Sequence, residues 1–279
     1  MKTVTAHVLV RNEARFVWFA VMSVINYVDS VLLWDTGSVD ETRVILKEIK
    51  KLYPNKVDLR FLEEVSINEF KDIRQAMLEA TQTDWFLMVD GDEIWWEDSI
   101  QKVISEIKVG SDIESVVVPT FNLVGDIYHY QEELAGLYQL AGRKGHYNLR
   151  AINRGIPGLK SSGPHGTWGW VDENDKMIQD RDAKKVKFMA APYLHASFLE
   201  RAGSKKADQA VPKRAKKLKH EIGIEFPRDY YYPEVFFRDR PMIIPSPWQT
   251  MTLPFYLRSL IETPLRKLKR RVLPTQVGY

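Results

Sequence analysis

Three carboxylates fall within four positions, Asp90, Asp92 and Glu93, directly after the apolar run WFLMV at residues 85–89. A buried strand has no packing reason to end this way, and like charges so close repel one another unless a cation is present. Gly91 lets the backbone turn and a ligand approach, so that Asp90 and Asp92 can reach one ion or its phosphate partner. A solvated turn after a core strand is the alternative reading. The chain has no cysteine, which removes disulfides, a thiolate nucleophile and cysteine-ligated zinc or iron–sulfur sites. Metal chemistry is left to Asp, Glu and six histidines, a donor set that suits a hard divalent cation bound to phosphate.

His195, in PYLHASF, is a candidate third metal ligand through a neutral imidazole, with a satisfied core histidine as the alternative. His165, in SGPHGTWGW, is the other histidine in a site-like setting, and His7 reads as structural. Trp168 and Trp170 offer faces for a sugar ring to stack on, or serve as loop anchors. Asp35, in DTGS after SVLLW, is placed to accept a hydrogen bond from a base or ribose. Ser38 or Asp40 caps the helix that follows. Arg11, Asn12 and Glu13 close the first strand. Arg74, on the helix before the DGD turn, either reaches a diphosphate or is an ordinary surface arginine.

The elements that must position these residues alternate. Strands are expected at 4–10, 30–34, 57–62 and 85–89, with helices at 13–27, 42–52 and 68–80 between them. Tyr53-Pro54 ends the second helix. This order implies a mostly parallel sheet covered on both faces, and Asn12, Asp35 and Asp90 fall at strand C-termini, the edge where open α/β sheets bind ligands. A helix at 98–108 and a strand at 115–119 follow. Beyond Pro119 the pattern is irregular and aromatic, residues 155–171 read as an ordered loop, and residues 201–220 as exposed helix around Pro212.

Charge divides the chain. Residues 1–125 carry 13 basic and 21 acidic side chains, and residues 126–279 carry 27 and 16. An acidic half can still bind a metal-nucleotide when the cation supplies the positive charge, while the basic half suits phosphates or an anionic surface. No apolar run of 18 residues occurs, so neither a membrane span nor a signal peptide is expected, and the expected location is the cytoplasm.

The segment VLVRNEARFVWFAVMSVINYVDSVLLWDTGSVDETRVI resembles the N-terminal signature of family 2 glycosyltransferases of the GT-A fold, and RQAMLEATQTDWFLMVDGDE resembles their DxD segment. The likeness covers about residues 4–95 and reaches more weakly to SFLERAGSKK. It implies a GT-A nucleotide-diphospho-sugar transferase fold, with a nucleotide-sugar-binding half at 1–125, an integrated acceptor-binding half at 126–250 and a basic amphipathic extension at 251–279. It further implies that Arg11, Asn12, Glu13, Asp35, Arg74, Asp90 and Gly91 surround the nucleotide, and that Asp90, Asp92 and His195 hold Mn2+ or Mg2+. His165, Trp168 and Trp170 would face a glycan or lipid-linked acceptor. Transfer from a UDP-sugar with inversion needs a general base. Asp172 is the first candidate, then Glu173 and Asp175, with Glu132 and Glu133 as fallback.

Rival classes lack their signatures. A sugar nucleotidyltransferase would carry a glycine-rich phosphate loop after the first strand, and a nicotinamide enzyme would carry GxGxxG there; VLVRNEA has neither. No nucleic-acid reader motif accompanies the basic runs, and a non-catalytic nucleotide-sugar binder remains an alternative. At the C-terminus, Leu257, Leu260, Ile261, Leu265, Leu268 and Val272 recur at helical spacing opposite Arg258, Arg266, Lys269 and Arg270. That pattern suits peripheral contact with an anionic membrane or packing on another surface, with Pro264 expected to kink or split the helix.

Overall fold

The computed structural model describes residues 1–66, 68–109, 112–164, 167–211, 214 and 219–273. Its first half follows the expected alternation: β1 (Val4–Val10), α1 (Val17–Val24), β2 (Ser30–Thr36), α2 (Thr42–Leu52), β3 (Val57–Leu62), α3 (Phe70–Ala80) and β4 (Trp85–Met88). Every residue of β1 is buried, as a strand covered on both faces requires. Helix α2 turns Ile45, Leu46 and Ile49 inward; neither Ser38 nor Asp40 is its N-cap, which is Glu41, although Asp40 Oδ1 accepts from Thr42 N at 3.1 Å just before it. Helix α1 is shorter than the expected 13–27. The segment before it is a turn, with Phe16 N and Val17 N both donating to Glu13 O at 3.0 and 2.9 Å, because Glu13 is fastened elsewhere.

After β5 (Glu93–Trp95) and α4 (Glu97–Val109) the chain enters β6 (Ser115–Val124), β7 (His129–Tyr130), β8 (Tyr138–Leu140), β9 (Arg143–Gly145) and β10 (Tyr147–Asn153). Then come β11 (Lys160–Ser162), β12 (Gly169–Val171), β13 (Val186–Phe188), β14 (Tyr193–Phe198), α5 (Lys205–Gln209), β15 (Ile224–Glu225) and α6 (Leu253–Val272). Strand β6 continues through Pro119 where a strand end was expected. Pro119 sits where one edge of the strand changes partners: β13 pairs in parallel with Ser115–Val117 and β14 takes over in parallel from Thr120, while β10 pairs antiparallel along the other edge up to Pro119. The segment 155–171 contains the β11–β12 hairpin. Part of 201–220 forms α5, and residues 212, 213 and 215–218 lie outside the described residues.

The principal sheet runs β15-β7-β6-β10-β4-β1-β2-β3, with β5, β13 and β14 paired alongside. Strands β4, β1, β2 and β3 are parallel, while β10 is antiparallel to both β4 and β6. The chain passes from β1 outward to β2 and β3, then returns to the other side of β1 to lay down β4. The C-terminal ends of β1 and β4 therefore flank a topological switch point, where ligands enter such sheets.

Candidate functional site

A cleft of about 670 Å³ opens at that switch point, a volume suited to a small-molecule ligand. From the end of β1 come Arg11 and Glu13, from β2 Thr36, from α3 Arg74, and from the turn after β4 Asp90, Gly91 and Asp92. The second half of the chain adds Tyr138, Asn148, Arg150, Trp168, His195, Arg201 and Arg214. Five arginines thus line the cleft against three carboxylates, Glu13, Asp90 and Asp92, so it favours an anion carrying several charges.

The DGD turn is held tightly. A Cβ at Gly91 would lie 2.8 Å from both Glu13 Cγ and Val10 Cγ1, so only glycine lets this turn close against the end of β1. Asp92 is 1% exposed; its Oδ2 accepts from Arg201 Nη1 and lies 3.4 Å from His195 Nε2. Asp90 reaches toward the cleft, accepting from Arg74 Nη2 at 3.1 Å with Arg150 Nη2 at 3.6 Å. Burial alone would raise the Asp90 carboxyl, but Arg150 and Arg74 outweigh it and hold it below its usual range.

Beneath the cleft floor Glu93 is fully buried, bound to Arg150 Nη2 and accepting from Tyr193 Oη at 2.9 Å and from Asp90 N at 3.2 Å. Tyr193 Oη in turn accepts from Arg150 Nε at 3.0 Å and Asn148 Nδ2 at 2.7 Å. Burial pushes the Glu93 carboxyl up to about 7 against the pull of Arg150. On the other side Glu13 Oε1 meets Arg214 Nη2 at 2.5 Å and Arg201 Nη1 at 3.4 Å. Burial pushes Glu13 up to about 7 as well, despite both arginines.

Several polar atoms here are buried without a partner: Arg74 Nε and Nη1, Arg201 Nε, Arg214 Nε and Glu13 Oε2. An unsatisfied buried guanidinium is costly, and at a cleft wall it is a donor placed for an anion. Arg74 also lies over the rings of Phe70 and Trp168, at 5.3 and 5.2 Å. Its burial answers the question left by the sequence: Arg74 is 3% exposed and is no surface arginine.

Other expected site residues stand differently. Asn12 is fully buried in the left-handed region at φ 53°, a conformation asparagine tolerates. It donates to Ala207 O and accepts from Val39 N, both at 2.8 Å, so it clamps two loops and does not line the cleft. Asp35 is buried behind Thr36; its Oδ1 accepts from Gly37 N, Ser38 N and Arg43 Nε at 3.2, 3.1 and 2.6 Å. Asp35 Oδ2 has no partner. Trp168 is on the cleft, its Nε1 donating to Ser161 Oγ at 2.7 Å. Trp170 is 1% exposed and packs on Phe86 in the core, so it offers no free face to a sugar. His7 is structural, stacked on Phe86 at 4.5 Å.

The acidic triplet near 172 is not brought to the cleft. Asp172 accepts from Asn174 N and Lys176 N at 2.9 and 3.0 Å and from Arg181 Nη1, which fastens its own turn. Glu173 is exposed, and Asp175 pairs with Lys160 at 2.7 Å. Glu132 faces Arg270 and Arg271, at 3.1 and 3.7 Å, and neither it nor Glu133 lines the cleft. His165 lies outside the described residues. Residues that sequence reasoning missed are Asn148, Arg150, Tyr193, Arg201 and Arg214. Of these, Tyr193 lay in PYLHASF, Arg201 in SFLERAGSKK and Arg214 in the basic segment 201–220, each noted for another feature, while Asn148 and Arg150 carried no local signal.

Among the described residues no group of three or more His, Asp or Glu is gathered to cage a metal ion. Asp92 Oδ2 with His195 Nε2 is a two-donor set of the kind that holds a cation shared with substrate phosphates. Arg201 on the same oxygen would have to share or yield it.

The family model for Glycosyl transferase family 2 matches residues 5–163. No curated protein sequence matches the chain. Among solved structures, S. aureus TarS 1-349 shows 12% identity and a TM-score of 0.44, over 70% of this chain and 60% of that one. Its complex with UDP-GlcNAc gives 13% and 0.47, over 69% and 58%. Glucosyl-3-phosphoglycerate synthase from Mycobacterium tuberculosis, in complex with Mn2+ and UDP-glucose, gives 16% and 0.46, over 70% and 71%. The chain thus spans about 60% of the length of the first of these structures. With the parallel β3-β2-β1-β4 core, the family match bears out the expected α/β fold of GT-A type.

Proposed function

This chain belongs to glycosyl transferase family 2, and from that premise we propose that it transfers a sugar from a nucleotide-diphosphate donor, a UDP-sugar first, to a hydroxyl of a glycan or lipid-linked acceptor. One observation carries the reading. Five arginines and the Asp90–Asp92 turn converge on one cleft at the sheet's switch point, and a diphosphate is the ligand that such a surplus of guanidinium groups fits.

Placement around the cleft supports the following roles. Arg74, with its unpartnered Nη1, and Arg150 grip the diphosphate from the α3 side, while Arg201 and Arg214 approach from the other wall. Asp90 accepts from a ribose hydroxyl. Thr36 lies on the nucleoside side of the cleft, with Asp35 buried behind it. Asp92 and His195 hold the divalent cation, Mn2+ or Mg2+. That cation, when bound, neutralises charge on the departing diphosphate. Trp168 offers its exposed edge and face to the sugar or acceptor. Inversion calls for a base on the acceptor side, and Asp172, Glu173 and Asp175 do not reach the cleft, so they are not carried into this mechanism. The anomeric configuration of the product, read by NMR, decides whether such a base is needed.

The test is calorimetry with UDP, GDP, dTDP and CMP and their sugar conjugates, each with Mn2+ and with chelator. One nucleoside diphosphate should bind preferentially and lose affinity on chelation, and its sugar conjugate should release that diphosphate on turnover. Binding by none of them overturns the proposal, and release of pyrophosphate from a nucleoside triphosphate would place the chain among nucleotidyltransferases.

A further inference from the structure

Helix α6 is docked the wrong way round for an ordinary amphipathic helix, which buries its apolar stripe and exposes its polar face. Here the buried residues are Ser259 and Thr263, and apart from Phe255, whose ring lies 4.9 Å from that of His220, the side-chain contacts given with the body are polar. Thr263 Oγ1 accepts from Ile222 N at 2.8 Å. Arg270 spans Glu221, at 2.5 and 2.6 Å, and Glu132, at 3.1 Å. The helix runs unbroken through Pro264, which lies on the outer side and does not split it.

The outer side is apolar. Leu257, Ile261, Leu265, Leu268 and Val272 are 53%, 71%, 63%, 59% and 66% exposed. At 3.6 residues per turn these five fall within about 80° of the circumference, centred roughly opposite Ser259 and Thr263. The same count places Arg258 and Lys269 along one border of the stripe and Lys267 and Arg271 along the other. The helix carries six Arg and Lys against one acid, Glu262. Lys267 and Lys269 have no ion-pair partner among the described residues. No described helix is long and apolar enough to cross a membrane.

We propose that α6 is a membrane-docking element that lies in the plane of an anionic bilayer, its stripe Leu257–Ile261–Leu265–Leu268–Val272 in the interface and its bordering cations on the lipid headgroups. Charge decides between occupants. A second copy of the helix laid on this stripe would bring two cationic borders together, whereas an anionic surface neutralises both. The polar docking keeps the stripe presented outward, because Thr263 and Arg270 hold the opposite face, where Ser259 is buried, to the body. Glu132, which anchors Arg270, accepts from His146 Nε2 through its carbonyl at 3.0 Å, and His146 Nδ1 meets Asn122, the β6 residue registered with His195. The docked helix is thus tied to the strand that carries a cleft residue.

The experiment is sedimentation of the full chain with vesicles of phosphatidylcholine alone and of phosphatidylcholine mixed with an equal amount of phosphatidylglycerol, with no sugar donor present. The wild-type chain should partition onto the mixed vesicles at least about tenfold more strongly, and less so at high salt. Ile261→Ser/Leu265→Ser/Leu268→Ser should reduce that partition at least about tenfold. Lys267→Gln/Lys269→Gln/Arg271→Gln should remove the preference for the anionic lipid. These side chains are exposed, apart from the half-buried Lys267, and none lines the cleft, so circular dichroism and nucleotide binding should be unchanged. Equal partition on both vesicles, or an apolar-stripe variant that binds like wild type, overturns the proposal. So does a wild-type dimer in equilibrium sedimentation that the stripe variant breaks while vesicles bind neither, since the stripe then belongs to a second copy.

Discussion

The two walls of the cleft are built on opposite plans. The wall at the ends of β1 and β4 supplies carboxylates, with Asp90, Asp92 and Glu93 within four positions and Glu13 a turn away across Gly91. The facing wall supplies cations from three separate places in the second half, Arg150, Arg201 and Arg214, with His195 beside them. Neither wall is stable alone. Glu13, Asp92 and Glu93 are 5%, 1% and 0% exposed, and a carboxylate so buried is tolerable only beside a guanidinium. The cleft needs both charge signs to fold, and the surplus of arginine is what remains to meet a ligand.

The sharpest way to break this comparison is to remove a cation from the facing wall. Arg201→Met leaves Asp92 and Glu13 without their shared partner and should cost about 3–5 kcal/mol of stability; urea unfolding near the wild-type midpoint would show that the walls do not depend on each other. Asp92→Asn attacks the carboxylate wall instead. It should keep the fold and lower metal-dependent turnover by at least about a hundredfold, and unchanged turnover would remove Asp92 from the proposed metal role.

A smaller effect is expected where the two walls share a ligand. Arg74→Lys keeps the charge but loses the planar fork, and should weaken binding of the preferred nucleoside diphosphate about tenfold to a hundredfold by calorimetry. The smallest effect is a slope. Glu93 rises from an ordinary 4.5 to about 7 in the fold, so between those values the folded chain holds a proton that the unfolded chain has released. Its contribution to stability is therefore fully present below pH 4.5 and is lost as pH rises through about 7. Glu93→Gln should flatten the pH dependence of the unfolding free energy over that window, and an unchanged slope would assign the dependence to other groups, Glu13 first.

The strands and helices of the first half were legible because their signals are local. The spacing in Thr42–Leu52 and the ends of Val57–Leu62 match the structure residue for residue, and DGD after WFLMV pointed to the cleft that contains Asp90 and Asp92. Misreadings came where a local signal had two physical causes. Asn12, a polar residue at a strand end, proved to be a left-handed clamp between loops, and Trp170, close to Trp168 in the chain, proved to be core because it lies within β12 against Phe86, whereas Trp168 precedes the strand and stays on the cleft. The acids at 172–175 read as a candidate base by their place in the chain order, yet Arg181 draws Asp172 into a turn of its own.

What the sequence by itself determined is the alternating α/β order, the parallel core and the acidic turn at the sheet edge, because hydrophobic period and turn chemistry act over a few residues. Only the tertiary structure decided which cations complete the site. Arg150 meets Glu93 across 57 positions, Arg201 meets Asp92 across 109 and Arg214 meets Glu13 across 201. It also decided that α6 turns its apolar stripe outward, since a helical repeat fixes which residues share a face but not which face the ion pairs of Arg270 will hold against the body.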